Sequence, residues 1–200
     1  MRTQTVPAIR ARKVRDGGDP LVMVTAYDAP GARQAHAAGV DMILVGDSLA
    51  MVVLGYEDTL QVTVDDIAHH TGAVHRGLRA STAEGPAPLV VGDLPWMSYH
   101  TAADDAVRNA AALVRAGAQA VKLEGGRKRL PVIEAIVDAE IPVMGHLGLT
   151  PQSLTRWEAS RCRVASTTPR WRCATTPRRW PPPAASPSCW RACPTRSPGW

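Results

Sequence analysis

Short apolar segments alternate with alanine-rich amphipathic segments over residues 1–156. Because the apolar segments carry Val, Ile and Leu at successive positions, both of their faces must be buried, as is typical of a parallel sheet. The pattern predicts five strands, over residues 20–28, 41–47, 88–95, 120–126 and 141–148. The segments between them predict helices over residues 28–39, 63–77, 101–117 and 129–140.

Local signals support these helices. Asp28 is suited to cap the first of them, and Thr63 is followed by two acidic residues, as at many helix starts. Thr101 and Asp104 have the spacing of a capping box, and Gly117 is suited to end the same helix.

The succession of strand and helix predicts an α/β fold. Polar residues stand at the carboxyl end of the strands, which favours part of a (β/α)8 TIM barrel with about five strand–helix units. A doubly wound open sheet is the alternative.

Three apolar strands end on a carboxylate. Asp47 follows "ILVG", Asp93 follows "LVVG" and Glu124 follows "AVKL". The carboxyl ends of parallel strands meet at one face, so these groups should lie close together and repel one another unless a cation neutralises them. An all-oxygen donor set favours Mg²⁺ or a similar hard ion.

Other polar residues join this predicted cluster. Lys122 precedes Glu124 by two positions and therefore points to the same side of its strand. His146 ends the fifth strand, and Ser48 could donate a hydrogen bond to a bound anion. Taken singly, Asp47 could be a helix cap and Lys122 a partly exposed surface lysine. The joint pattern favours a site.

Two other groups of residues invite a functional interpretation. The "GDSL" stretch that contains Ser48 is the hallmark of a serine hydrolase family, but such enzymes need a late histidine and none follows His146. A predicted helix carries several acids and histidines on different faces, which we interpret mostly as a solvated surface: Asp65, Asp66, His69, His70 and His75.

Composition changes sharply near Arg156. Residues 157–200 contain eight Arg and one acid, all four Cys, five of the six Trp and eight of the 17 Pro. This segment carries a net charge of +7. Because the whole chain carries +5, residues 1–156 carry −2. We therefore divide the chain into a catalytic body, 1–156, and a tail, 157–200, that we expect to be disordered.

The body alone indicates the class of protein. It contains no Cys, no charged-then-apolar leader and no apolar run that could span a membrane, so we expect a cytoplasmic protein without a membrane partner. The Arg and Trp of the tail leave a nucleic-acid-binding arm as an alternative, although we expect no nucleic-acid partner.

Several long motifs resemble the ketopantoate hydroxymethyltransferase family. They are "TAYD", "AGVDMILVGDSLAMVVLGYEDTLQVT", "HTGAVHRG", "VVGDLPWMSY", "NAAALVRAGAQAVKLEGG" and "IPVMGHLGLTPQS". The resemblance implies a barrel of the phosphoenolpyruvate/pyruvate type. It also implies transfer of a hydroxymethyl group from methylenetetrahydrofolate to 3-methyl-2-oxobutanoate, which gives 2-dehydropantoate for pantothenate synthesis. A Mg²⁺-dependent carbon–carbon lyase of the same superfamily and a noncatalytic fragment are the alternatives.

The resemblance assigns roles to the strand-end residues. It implies that Asp47 and Asp93 bind Mg²⁺ directly and that Glu124 is a further acid at the metal. Asp93 also belongs to the substrate-binding set, with the three residues that would contact the 2-oxo acid: Ser48, Lys122 and His146. It implies homo-oligomers as well, an assembly that we do not expect of a chain with this tail.

The tail departs from the family. There the chain continues with a "GGYKVQGR"-like stretch, three more strand–helix units and a general-base glutamate in a "VLE" motif, all missing from this sequence. "WEASRCRVA" can be encoded so that a shifted frame reads "GGFTVQGR", and the same shift permits "FAVVLE" around 186–191. We therefore expect a frameshifted tail, no catalytic general base and an inactive chain.

Overall fold

The computed structural model describes residues 3–12, 19–148, 150–156 and 189–192. Its strands are β1 Met23–Thr25, β2 Met42–Val45, β3 Leu89–Asp93, β4 Ala120–Glu124, β5 Val143–His146 and β6 Cys189–Ala192. Its helices are α1 Val6–Ala11, α2 Ala29–Ala37, α3 Leu49–Val52, α4 Val64–Arg79, α5 Ala103–Ala116 and α6 Leu130–Asp138. No helix in these segments is both long and apolar enough to cross a membrane.

The six strands form one parallel sheet in the order β1-β2-β3-β4-β5-β6. Each strand therefore lies beside the next one in the chain, and the order never reverses. A doubly wound sheet reverses its strand order at a switch point, so the structure excludes that alternative for the described strands. The sheet is an arc of a parallel α/β barrel, as the sequence predicts.

Side-chain alternation along the strands divides the core into two parts. Ile43, Val45, Val90 and Val121 belong to a large cluster between the sheet and its helices. The alternate residues of the same strands face the other way, into a smaller cluster that contains Met42, Leu89, Val91, Ala120 and Met144. This second face is the inside of the barrel, and it carries the polar strand ends.

The sequence pattern does not reveal α1. Thr5 caps this short helix by accepting a hydrogen bond from the Ala8 N–H, and Pro7 lies in its first turn. Ile9 is completely buried and packs in the inner cluster with the first residues of the strands. The helix therefore supports the sheet on the side away from the polar strand ends.

The helix signals are confirmed in part. Asp28 caps α2, and Gly117 ends α5 in the left-handed conformation, with φ of 117°. Thr63 forms a full capping box with Asp66 at the start of α4. The predicted box at α5 is wrong, because Thr101 donates its hydroxyl to the Asp105 carboxylate and α5 begins without a side-chain cap.

The predicted strands are longer than the observed ones because their outer residues lie in the connections on either side of the strands. The long connection after β2 contains α3, and four of its apolar side chains are between 41% and 68% exposed: Met51, Val52, Val53 and Leu54.

The tail differs from expectation at four residues. Cys189–Ala192 form β6, which pairs with β5, where the sequence analysis expects disorder and only five strands. The other residues of the predicted tail, 157–188 and 193–200, lie outside the described residues.

Candidate metal and substrate site

Four of the predicted site residues lie on the inner face of the sheet. Asp93 ends β3, Lys122 and Glu124 are the third and last residues of β4, and His146 ends β5. Each follows an inward-facing apolar residue by two or four positions, so strand alternation directs its side chain inward. The structure therefore places these four groups at the same end of the sheet.

An ion pair joins β3 and β4 at this end. Lys122 Nζ lies 2.8 Å from Asp93 Oδ2, and the two side chains are 9% and 1% exposed. The backbone N–H of Asp47 donates to the same Oδ2 at 3.2 Å. The other oxygen of Asp93, Oδ1, is buried and has no hydrogen-bond partner in the part of the chain that the structure describes.

Burial has opposite effects on this pair. It raises the pKa of Asp93 to about 7, because the attraction of Lys122 offsets only part of the cost of burying a carboxylate beside Asp47. Burial lowers the pKa of Lys122, but the neighbouring carboxylates more than compensate, and the net pKa is raised. Lys122 is thus a firmly charged ammonium group inside the barrel.

Glu124 bridges two elements. Its Oε1 lies 3.2 Å from His146 Nδ1, and its Oε2 accepts from the Gln152 backbone N–H at 3.1 Å. Gln152 also binds Asp47, because its side-chain Nε2 donates to Asp47 Oδ2 at 2.8 Å. The structure therefore brings Asp47, Glu124 and His146 into one network through Gln152.

Ser48 lies beside this network rather than within it. Its hydroxyl is 2.8 Å from the Tyr27 hydroxyl, and the Tyr27 carbonyl oxygen lies 2.6 Å from His70 Nδ1. His70 is thus half-buried and tied to the strand-end loops, which differs from the expectation of a solvated histidine. Ser48 keeps its hydroxyl at the rim, where it could contact an anion.

The three carboxylates fit a cation but do not form a closed metal cluster. Asp47, Asp93 and Glu124 are 5%, 1% and 4% exposed, and one buried ammonium group cannot neutralise them all. Within the described residues, no three His, Cys, Asp or Glu side chains form a metal-binding group. The unpartnered Asp93 Oδ1 is the donor that a hard cation would use.

Sequence reasoning missed two residues of the site. Gln152 and Tyr99 are 3% and 1% exposed, and both contact the acidic network. The segments "GLTPQS" and "WMSY" contain them, but neither residue type suggests a metal site by itself. Their roles depend on the turns after β3 and β5, whose geometry strand periodicity does not encode.

His100 provides a test of the electrostatics at the rim. Burial, with Arg129 and Lys128 nearby, lowers the pKa of His100 to about 4, against the weaker opposing effect of Glu124. The unfolded chain therefore binds a proton between about pH 6.5 and pH 4 that the folded chain does not, and stability falls as the pH falls through this window.

We expect His100→Phe to reduce this pH dependence. Between pH 7 and pH 5 the variant should lose about 1 kcal/mol less unfolding free energy than wild type, a value discounted for the exposure of the ring. Urea unfolding at the two pH values measures this. The same change at the exposed His69 is the control, and equal losses in wild type and His100→Phe would contradict the prediction.

Comparison with known sequences relates the chain to one enzyme family. The family model described as "Ketopantoate hydroxymethyltransferase" matches residues 3–170. The 3-methyl-2-oxobutanoate hydroxymethyltransferase of Moorella thermoacetica is 57% identical over 150 residues, which cover 74% of this chain and 52% of that protein. The Aeropyrum pernix protein of the same name is 56% identical over 159 residues, which cover 80% and 55%. The chain spans about half the length of the curated relatives it matches.

Solved structures show the same fold at low sequence identity. Phosphonopyruvate hydrolase, crystallised with oxalate and Mg²⁺, is 15% identical with a TM-score of 0.56, covering 72% of this chain and 52% of that one. 2,3-Dimethylmalate lyase, described as a PEP mutase/isocitrate lyase superfamily member, is 21% identical with a TM-score of 0.51, covering 76% and 54%.

Proposed function

The chain belongs to the ketopantoate hydroxymethyltransferase family, and from this premise we propose that residues 1–156 form the Mg²⁺ and 2-oxo acid site of such an enzyme. The reaction transfers a hydroxymethyl group from methylenetetrahydrofolate to 3-methyl-2-oxobutanoate and gives 2-dehydropantoate in pantothenate synthesis. The buried Asp93–Lys122 pair, with its unpartnered carboxylate oxygen, is the observation that carries the proposal. The carbon–carbon lyase alternative gains nothing from the family match.

Asp47 and Asp93 would hold the Mg²⁺, with Glu124 as a further acid beside it. All three provide oxygen donors, and Asp93 Oδ1 is free of other hydrogen bonds in the described segments. When bound, Mg²⁺ supplies the positive charge that makes the C–H next to the keto group of the 2-oxo acid acidic.

Lys122 and its neighbours would bind and orient the substrate. Lys122 is charged and buried, so it presents an ammonium group to the substrate's carboxylate without competition from water. Ser48 and His146 lie at the rim of the same face and can donate hydrogen bonds to the remaining oxygens. The tight packing of Lys122 against Asp93 holds the ammonium group in place before the substrate arrives.

We also propose that the tail is the family's gene read in a shifted frame. TGG GAG GCT TCA CGG TGC AGG GTC GC encodes "WEASRCRV" and the start of Ala165, and from its third base it reads "GGFTVQGR". Similar codons through Arg191 permit "FAVVLE", with the glutamate codon spanning Trp190 and Arg191. Of the residues concerned, Trp190 and Arg191 lie in β6, which pairs with β5.

Binding of the 2-oxo acid tests the proposed site directly. We expect 3-methyl-2-oxobutanoate to bind the chain about tenfold or more tightly with Mg²⁺ than with EDTA, because the metal would contribute a charge-assisted contact to it. Titration calorimetry measures the two affinities, and far-UV circular dichroism shows that the chain is folded in both buffers. Equal affinity with and without Mg²⁺ in folded protein would contradict the proposal.

A further inference from the structure

Gln152 connects the carboxyl ends of four neighbouring strands. It lies in the 3-10 turn Pro151–Arg156 after β5 and is 3% exposed. Its side-chain Nε2 donates to Asp47 Oδ2, after β2, at 2.8 Å and to the Leu94 carbonyl oxygen, after β3, at 3.0 Å. Its backbone N–H donates to Glu124 Oε2, at the end of β4, at 3.1 Å.

The chemistry of these partners fixes the orientation of the Gln152 amide. The Asp47 carboxylate and the Leu94 carbonyl can only accept hydrogen bonds, so the end of the side chain that meets them must be the NH₂ group. The opposite end is therefore the carbonyl oxygen. Tyr99 must donate its hydroxyl proton to that oxygen, at 2.6 Å.

Tyr99 is itself held by the site. Its hydroxyl oxygen accepts the Glu124 backbone N–H at 3.1 Å, which leaves its one proton for Gln152. The ring is buried in the core, and the turn before it is closed by Ser98, whose N–H and hydroxyl both donate to the Pro95 carbonyl oxygen. A chain of hydrogen bonds thus runs from the β4 backbone through Tyr99 and Gln152 to Asp47.

We propose that Gln152, oriented by Tyr99, is a positioning residue for the acidic site, an inference that rests on the proposed function. Gln152 engages one oxygen of Asp47 and one oxygen of Glu124. Asp47 Oδ1 accepts no hydrogen bond from the described residues, and Glu124 Oε1 faces His146. This arrangement would leave Asp47 Oδ1 for the cation and hold Glu124 Oε1 against His146.

A neutral amide suits this task. It holds two carboxylates in place when no cation is bound, because its N–H groups offset part of their mutual repulsion. Unlike the ammonium group of Lys122, it adds no net charge that would oppose a cation. A buried lysine at the same position would form an ion pair with Asp47 and compete with the metal.

Gln152→Met tests the proposal in the full 200-residue chain, with Mn²⁺ as the probe. The methionine has a similar length but cannot donate to Asp47. We expect its Mn²⁺ affinity to fall about tenfold, the size of one lost hydrogen bond to a charged group. The electron paramagnetic resonance spectrum of bound Mn²⁺ should also change, because Asp47 adopts a different geometry.

Tyr99→Phe provides a second variant that keeps the buried ring. It removes the hydroxyl that orients the amide and accepts the Glu124 backbone N–H, so we expect a severalfold loss of Mn²⁺ affinity. The double variant should bind no more weakly than Gln152→Met alone, since both changes interrupt one hydrogen-bond chain. Gln119→Met is the matched control: Gln119 also accepts from and donates to backbone groups, but it lies just before β4, away from the acids.

The outcomes separate this inference from the proposed function. Wild-type affinity and an unchanged Mn²⁺ spectrum in folded Gln152→Met and Tyr99→Phe would overturn the inference, and Gln152 would then only anchor its turn. Failure of folded wild-type chain to bind Mn²⁺ would overturn the proposed function together with the inference. A drop in affinity for Gln119→Met equal to that of Gln152→Met would also overturn the inference, because the effect would not be specific to the acidic end.

Discussion

Replacing everything after Arg156 with the C-terminal half of the Moorella thermoacetica relative is expected to convert an inactive chain into an active hydroxymethyltransferase. The relative is 57% identical over the matched part, so its second half should complete the barrel. The 200-residue chain itself should form no detectable 2-dehydropantoate. The loss of a general base alone would cost about 10²–10⁴-fold in rate. Among the described strands β1 pairs with β2 alone, and Val22, Met23 and Val24 are exposed at that edge.

The turnover assay with both proteins measures this difference. Normal turnover by the purified 200-residue chain would contradict the expected inactivity. The frameshift is tested separately: sequencing the gene around the codon for Trp157 should reveal the shift. An uninterrupted frame, together with a tail peptide detected by mass spectrometry in cells, would refute it whatever the assay shows.

Asp93→Asn in the chimaeric protein is expected to reduce turnover by about 10²–10³-fold, the range found when a charge-stabilising group is removed from an active site. The amide keeps the shape of the side chain but loses the charge that would bind Mg²⁺ and pair with Lys122. Mg²⁺ affinity should fall in parallel, because the site would lose one of the two direct ligands that we propose. Asp47→Asn should have a similar effect.

Asp104→Asn is the control for this series, since Asp104 is an exposed carboxylate in the first turn of α5 and does not contact the site. Circular dichroism should show that all three variants fold. Unchanged Mg²⁺ affinity in folded Asp93→Asn would contradict the assignment of Asp93 as a ligand.

Strand periodicity predicts most of the site's framework. Each strand-end residue follows an inward-facing apolar residue by two or four positions, so its side chain points to the same face. These residues are Asp93, Lys122, Glu124 and His146. The parallel order then brings these ends to one face. The side-chain direction follows from local sequence alone. The strand order does not, but the carboxyl ends of parallel strands meet at one face in either architecture that the sequence allows.

Contacts made by loops could not be predicted in the same way. Gln152 reaches Asp47 from 105 positions away, and nothing in the sequence between them indicates the pairing. Thr101 illustrates a local failure, because a nearby acid at the fourth position, Asp105, binds its hydroxyl in place of the helix backbone. Helix α1 was missed because six residues carry too little periodicity to register.

The most direct measurement is turnover of the metal-free chimaeric protein. The protein is stripped with EDTA, desalted and assayed with 3-methyl-2-oxobutanoate and methylenetetrahydrofolate, first without metal and then after Mg²⁺ is returned. If the acidic strand ends form a Mg²⁺ and 2-oxo acid site, 2-dehydropantoate should form only after Mg²⁺ is added, and Asp93→Asn should stay inactive. Full turnover before any metal is added would contradict the account.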